Sequence, residues 1–344
     1  MAMTSSHDLK SSKLLVVLGA TGNQGSSVAH TFLTIPGWRI RGVSRSPSSD
    51  AAQSLSSKGV EIVKGDLNDV DSLVAAFTGA NAIYAVTDFW LHLREKSNIP
   101  KAQAAGLSIN EYAYQLEVQQ GKNIATAASN PVVAKTLERF IFSSLSDTKK
   151  WSHGKYSHNY HFDSKADISS YIMNELPDLA HKMSTVQIGH YMTNWRGGLN
   201  RPRKQPDGSF VIPHWGPVTQ TPQVPFVDVN RDTGVFVRAL LLSAQPGTHV
   251  LGASQMGTYV EFWTLWSAAT GCKIKFKEME ADEYFSEVPE AIREEVYDSA
   301  SYNKEFGWTG GDPSVVDLAA IDPAAKTTSL KEFVEREDWS TLLK

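Results

Sequence analysis

Residues 14–25, LLVVLGATGNQG, constrain the fold more tightly than any other part of the chain, because an apolar run leads straight into Gly19-x-x-Gly22-x-x-Gly25 and then into a helical pattern. The run is too short to span a membrane and reads as the first buried strand of a parallel sheet. Gly19 permits the tight turn, Gly22 lets backbone approach a pyrophosphate with no Cβ in the way, and Gly25 lets the next helix pack close to the strand. That helix, expected over 26–34, carries Val28, Ala29, Phe32 and Leu33 on one face. Its free N–H groups and macrodipole favour an anion at its start. Thr21, Asn23 and Gln24 join the three glycines as expected dinucleotide contacts. A glycine triplet alone is a weak signal, but strand, triplet and helix come here in the order the motif requires.

The next expected strand, 38–45, ends on Arg45, where an NAD-binding chain would place an acid to hold the ribose 2′-hydroxyl. A cation cannot accept that hydrogen bond. Its planar donors suit a 2′-phosphate, with Ser44, Ser46 and nearby backbone as helpers, so NADP(H) is the expected cofactor. Arg41 lies nearer the middle of the same strand and is not assigned to the ligand. Asp66 and Leu67, after a short strand at 60–64, would lie beside the adenine, and Thr87, beyond a fourth strand at 82–86, would face the cofactor.

Alternation of strand and helix continues for about 190 residues, the pattern of an α/β doubly wound parallel sheet of Rossmann type. Asp69 would cap a helix at 70–77, and Asn110 would cap a long one at 111–129 that turns Ala113, Leu116, Ile124 and Ala127 to the sheet. Strands five and six fall at 139–144 and 182–188. Prolines then cluster from Pro202 to Pro225, and periodicity fades as in a lobe threaded through loops. Later strands are expected at 221–227, 248–252 and 273–277. Later helices are expected at 228–242, 259–269, 281–285, 291–306 and 329–335. The division that follows is a flexible tail at 1–12 and an NADP-binding domain at 13–190 rejoined by 222–255. A smaller α+β substrate lobe takes 191–221 and 256–344.

Composition excludes several classes of partner. The 344 residues carry 33 basic and 37 acidic side chains, a net charge of −4, and no basic stripe that would recommend a nucleic acid. The one cysteine, Cys272, excludes an internal disulfide and suits a reducing compartment, so a cytoplasmic location is expected. The polar start MAMTSSHDLKSS lacks the apolar centre of a signal peptide, and no stretch approaches a membrane helix.

Chemistry is concentrated in 151–165, WSHGKYSHNYHFDSK, with three His, two Tyr, two Lys and a Trp. If Phe162 begins a helix, His161 and Lys165 stand one turn apart on one face. Lys165 would hold the nicotinamide ribose and stabilise developing negative charge, while His161, Tyr160 or Tyr156 donates a proton. Ser143 or Ser144 would orient the substrate oxygen. The spacing of His153, His158 and His161 matches no recognised zinc pattern, and no metal is expected. Phe89, Trp90, Trp151, Tyr156, Tyr160, Tyr191, Trp195 and Phe226 are expected around the cleft, where rings offer apolar area to a flat ligand.

Taken together, LGATGNQG, RGVSRS, KGDLND, GKNIATAAS, FIFSSLSD, HFDSKADISSYI, GHYMTNW and VPFVDVNRDTG resemble the NmrA-like family, an atypical branch of the short-chain dehydrogenase/reductase superfamily. The likeness runs from Lys13 onward. It implies an NADP(H)-preferring Rossmann domain with a small C-terminal lobe, in a family divided between reductases and redox-sensing regulators. It also implies that Gly19, Gly22 and Gly25 form the pyrophosphate loop, Arg45 reads the phosphate, and Lys165 is the lysine beside the nicotinamide. The superfamily's usual tyrosine, four positions before that lysine, is replaced by His161, whose imidazole can donate a proton near neutral pH. Two functions follow. One is an NADPH-dependent reductase of a small, aromatic or apolar carbonyl, imine or enone. The other is an NADP(H) sensor without turnover, acting through a regulatory protein partner or a homo-oligomer.

Overall fold

A computed structural model describes residues 12–344. Six strands come first: β1 (Lys13–Val17), β2 (Trp38–Ser44), β3 (Glu61–Lys64), β4 (Ala82–Ala85), β5 (Arg139–Ser144) and β6 (Met183–Ile188). They pair in parallel in the order β6-β5-β4-β1-β2-β3, and His249–Gly252 followed by Val315–Asp317 extends the sheet beyond β6. The winding reverses between β1 and β4, which opens a crevice at their carboxyl ends.

β1 shows why its sequence is apolar from Leu14 onward. Leu14 and Val16 pack in the layer beneath the helices Val70–Phe77, Ile109–Ala128 and Tyr160–Glu175. Leu15 and Val17 pack in the opposite layer beneath Asn23–Leu33 and Val229–Leu242. A strand covered on both faces needs apolar side chains at every position, each contributing about 1.5–3 kcal/mol when fully buried.

The long helix, Ile109–Ala128, begins two residues earlier than expected. Ser108 is its cap: Ser108 Oγ accepts from Glu111 N–H at 3.2 Å, and the Glu111 carboxylate accepts from Ser108 N–H at 2.8 Å. This reciprocal pair outcompetes Asn110. Asn110 instead donates from Nδ2 to the Ala291 carbonyl at 2.5 Å.

The proline-rich stretch holds a strand that sequence periodicity does not reveal. Phe210–Trp215 runs parallel to Ile274–Met279, and Arg203–Lys204 pairs on its other side. Phe210 and Ile212 are buried with Phe262, Trp263, Trp266, Phe333 and Trp339, so the aromatic helix Tyr259–Thr270 supplies the lobe's core. Val315–Asp317, in the segment read as lobe, forms the edge of the main sheet. Of the segment read as a tail, residues 1–11 lie outside the described region. Ser12 Oγ accepts from Arg39 Nε at 3.0 Å. No described helix is long and apolar enough to cross a membrane.

Candidate functional site

The carboxyl ends of β1 to β6 open into one cleft of about 1070 Å³ that continues between sheet and lobe. Its floor is the Gly19–Gly25 turn. Gly19 has φ +61°, and a Cβ on Gly25 would stand 2.2 Å from the Gly19 carbonyl oxygen, so the turn closes only with glycine at both positions. The helix Asn23–Leu33 starts at Gly22 without a side-chain cap, which leaves its first N–H groups for an anion in the cleft. Thr21, Gly22, Asn23, Asp66, Leu67 and Thr87 all line this end. Thr87 Oγ1 is buried there without a hydrogen-bond partner.

Gln24 lines the cleft but is occupied as a brace. Its Oε1 accepts from Tyr84 OH at 2.5 Å and Ser143 Oγ at 2.7 Å, and its Nε2 donates to Tyr191 OH at 2.7 Å. Burial pushes the Tyr191 phenol up to about 12, which keeps it neutral. Arg45, exposed directly after β2, lines the cleft beside Ser44 and Ser46, and no ion pair or hydrogen bond holds it among the described residues. Arg41, by contrast, is a fastener. It donates to the carbonyls of Ala76 (3.0 Å) and Thr78 (2.9 Å), and its Nε lies 3.1 Å from Glu61.

The helix Tyr160–Glu175 begins before Phe162 and keeps His161 and Lys165 one turn apart, both on the cleft. Lys165 Nζ is paired with Glu117 Oε1, a fully buried carboxylate of Ile109–Ala128 whose other oxygen accepts from Ser164 Oγ. His161 Nδ1 is paired with Glu295 Oε1, and the ring lies 5.0 Å from that of Trp90, which also lines the cleft. Glu295 belongs to the lobe helix Glu290–Phe306, is fully buried, and also accepts the N–H groups of Tyr160 (2.9 Å) and His161 (3.2 Å). It thereby caps a helix that Asn159 does not cap through its side chain. Ser144 faces the cleft, but its hydroxyl is shared with Ser169 Oγ at 2.8 Å.

Five of the residues expected around the cleft lie elsewhere, among them Phe226, which is buried in the lobe core and stacked 5.5 Å from Phe262. Tyr160 is at the helix start but off the cleft wall, edge-on to Tyr114 and His158, with burial and nearby carboxylates pushing its phenol up to about 12. Tyr156 donates its hydroxyl to Glu305 at 2.7 Å and packs against Tyr302 and Phe306. Trp151 packs beside the same cluster, with Lys150 Nζ 4.7 Å from its ring centre. Trp195 is buried in the lobe core, 4.5 Å from the Trp339 ring, and donates from Nε1 to Glu337 at 3.1 Å. Aromatic composition marked these rings without showing which core each fills.

The far wall comes from residues that sequence reading passed over: His190, Trp215, Tyr259, Tyr284 and Trp308. Burial pushes His190 down to about 4, so its ring is neutral, with Nε2 3.1 Å from Tyr259 OH. This end of the cleft is aromatic and largely uncharged. Glu117 and Glu295 were also passed over. Glu117 had a signal: an acid one turn from Ala113 on the stripe that faces the sheet. Glu295 had none. Among the described residues no group of three or more His, Cys, Asp or Glu is placed to hold a metal ion.

The sequence model of the NmrA-like family matches residues 11–342. A curated relative from Aspergillus hancockii, the NmrA-like family domain-containing oxidoreductase hkm9, is 27% identical over 333 residues, covering 92% of this chain and 91% of that protein. NmrA, described as a negative transcriptional regulator and solved in complex with NADP, matches with a TM-score of 0.67 at 20% identity over 95% of each chain. The NADPH-dependent quinone oxidoreductase QOR2 of Escherichia coli, solved with NADPH, matches with a TM-score of 0.66 at 16% identity, covering 96% of this chain and 100% of that one. At these identities the two structural likenesses establish the fold.

Proposed function

We propose, from the premise that the chain belongs to the NmrA-like family, that it is an NADP(H)-dependent reductase of a small aromatic or apolar carbonyl, imine or enone. The observation that carries this reading is the continuity of one cleft. It runs from the glycine turn and Arg45, past Lys165 and His161, to the aromatic wall of His190, Tyr259 and Trp308. The oxidoreductase name of the relative from Aspergillus hancockii, and the NADP and NADPH held by the two structural neighbours, support the same cofactor and reaction class here.

The residues fit the cofactor. The uncapped start of Asn23–Leu33 receives the pyrophosphate, Thr87 Oγ1 offers an unused polar atom, and Arg45 takes the 2′-phosphate through its planar donors. Bound NADPH supplies a hydride. Lys165 places a cation beside the nicotinamide end, where it orients the ribose and stabilises negative charge developing on substrate oxygen. His161 supplies the proton in place of the absent tyrosine, and the neutral aromatic wall holds the flat body of the substrate.

The test is NADPH affinity together with NADPH consumption against aromatic aldehydes, quinones, enones and cyclic imines. Saturable binding with turnover of one class supports the reductase. Tight binding with no turnover across the panel supports the second reading, a dinucleotide sensor that presents different surfaces to a protein partner. Favouring that reading are the engagement of Lys165 by Glu117 and of the Ser143 and Ser144 hydroxyls by Gln24 and Ser169.

A further inference from the structure

We infer that Glu295 is a positioning residue for the proton donor: it holds His161 with the proton on Nδ1 and turns Nε2 toward the cleft, a dyad divided between cofactor domain and lobe. The inference rests on the reductase reading and extends it to a residue outside the cofactor domain. A buried carboxylate only accepts, so the nitrogen facing it must carry hydrogen. His161 Nδ1 faces Glu295 Oε1, and among the described residues no hydrogen bond engages Nε2. The ring has little freedom to turn, since it lies against Trp90 at 5.0 Å and edge-on to Phe162 at 4.8 Å. Nε2 is therefore the ring nitrogen left, among the described residues, to meet a substrate.

A neighbour on the same lobe helix separates this role from simple anchoring. Asp298, one turn after Glu295, accepts the N–H groups of Ser157 (3.1 Å) and His158 (2.9 Å) and lies 3.1 Å from His158 Nδ1. It repeats the geometry of Glu295 on a histidine that does not line the cleft. Both acids anchor the approach to the helix, and Glu295 alone also engages a ring on the reaction path. In the reduction, the substrate carbon gains hydride as its C=O π bond breaks, and NADPH is oxidised to NADP⁺. Nε2 of the Nδ1–H ring first takes a proton from solvent, giving an imidazolium beside the Glu295 carboxylate; its Nε2–H bond then breaks as the O–H bond forms, which returns the neutral ring with hydrogen on Nδ1.

The test uses the full chain labelled with ¹⁵N, reading imidazole nitrogen signals assigned by their loss in His161→Phe. The wild-type neutral ring should carry its proton on Nδ1. In Glu295→Gln an NH₂ in place of Oε1 faces Nδ1 and moves the proton to Nε2 while the oxygen keeps the Tyr160 N–H, and an NH₂ in place of Oε2 leaves the proton on Nδ1 but removes the charge that supports an imidazolium. With a substrate from the panel, Glu295→Gln should lose about 100-fold or more in kcat with KM for NADPH unchanged, and Asp298→Asn should keep wild-type turnover. Wild-type protein with the proton on Nε2, or Glu295→Gln with full turnover, would overturn the inference. The wild-type spectrum decides the matter even if Glu295→Gln does not fold. Absence of turnover across the panel counts against the reductase reading, whereas the spectrum reports on Glu295 alone.

Discussion

Replacing Glu117 by glutamine should destabilise the protein by about 3–5 kcal/mol, the usual cost of leaving one member of a buried ion pair without its partner. The Glu117 side chain is fully buried and that of Lys165 is 10% exposed, so little water reaches the ammonium to compensate. Glutamine still accepts from Ser164 Oγ, which confines the loss to the charge pair. Lys165→Met in the same protein removes the stranded cation with a side chain of similar length. The double variant should therefore recover to within about 2 kcal/mol of wild type, because replacing a buried pair by uncharged groups is often near neutral. Urea unfolding followed by tryptophan fluorescence gives all four corners of the cycle. A cost below about 1 kcal/mol for Glu117→Gln would show that Lys165 escapes into the cleft, and strictly additive losses would show that the two side chains do not interact. Either result refutes the reasoning.

Other outcomes follow from the same geometry. Arg45→Asp should weaken NADPH at least about tenfold while leaving NADH nearly unchanged, since charge-assisted hydrogen bonds to a phosphate contribute about 1.5–3 kcal/mol; equal losses in direct titration would remove Arg45 from the site. Lys165→Ala and His161→Phe should each lower turnover about 100-fold or more with the circular dichroism spectrum preserved, and unchanged rates in both would end the catalytic assignment. Burial pushes the Asp163 carboxyl up to about 7 from 3.8, against the opposing pull of Lys149 3.9 Å away and the N–H groups of Thr148 and Lys149. Because the fold retains this proton, its stabilising contribution is full below the unfolded value and is lost as pH rises to about 7, by up to about 1.4 kcal/mol per pH unit. Asp163→Asn should flatten that slope in urea midpoints taken from pH 4 to 8, and parallel curves for the two proteins would contradict it.

The cofactor half was legible because its signals are local. Glycine spacing, an apolar strand and the residue that ends β2 are properties of contiguous segments, and they place Gly19, Gly25 and Arg45 on the cleft directly. The pairing of His161 with Lys165 needed only helical spacing. Its support did not: Glu295 is 134 positions from His161 and reaches it only through lobe packing. Aromatic content pointed to a ring-lined cleft and placed Phe89, Trp90 and Tyr191 on it, but did not identify the rest of its members. Trp151, Tyr156 and Trp195 satisfy internal cores, while His190, Tyr259 and Trp308 form the wall. The capping box Ser108-x-x-Glu111 was readable from residue types alone, and overlooking it set the helix start late.

The account depends most on the glycine turn gripping a dinucleotide whose extra phosphate Arg45 selects. Isothermal titration calorimetry of the purified chain with NADPH and with NADH measures this directly. The account predicts saturable heat at one site per chain, tighter for NADPH; no heat with either coenzyme would contradict it.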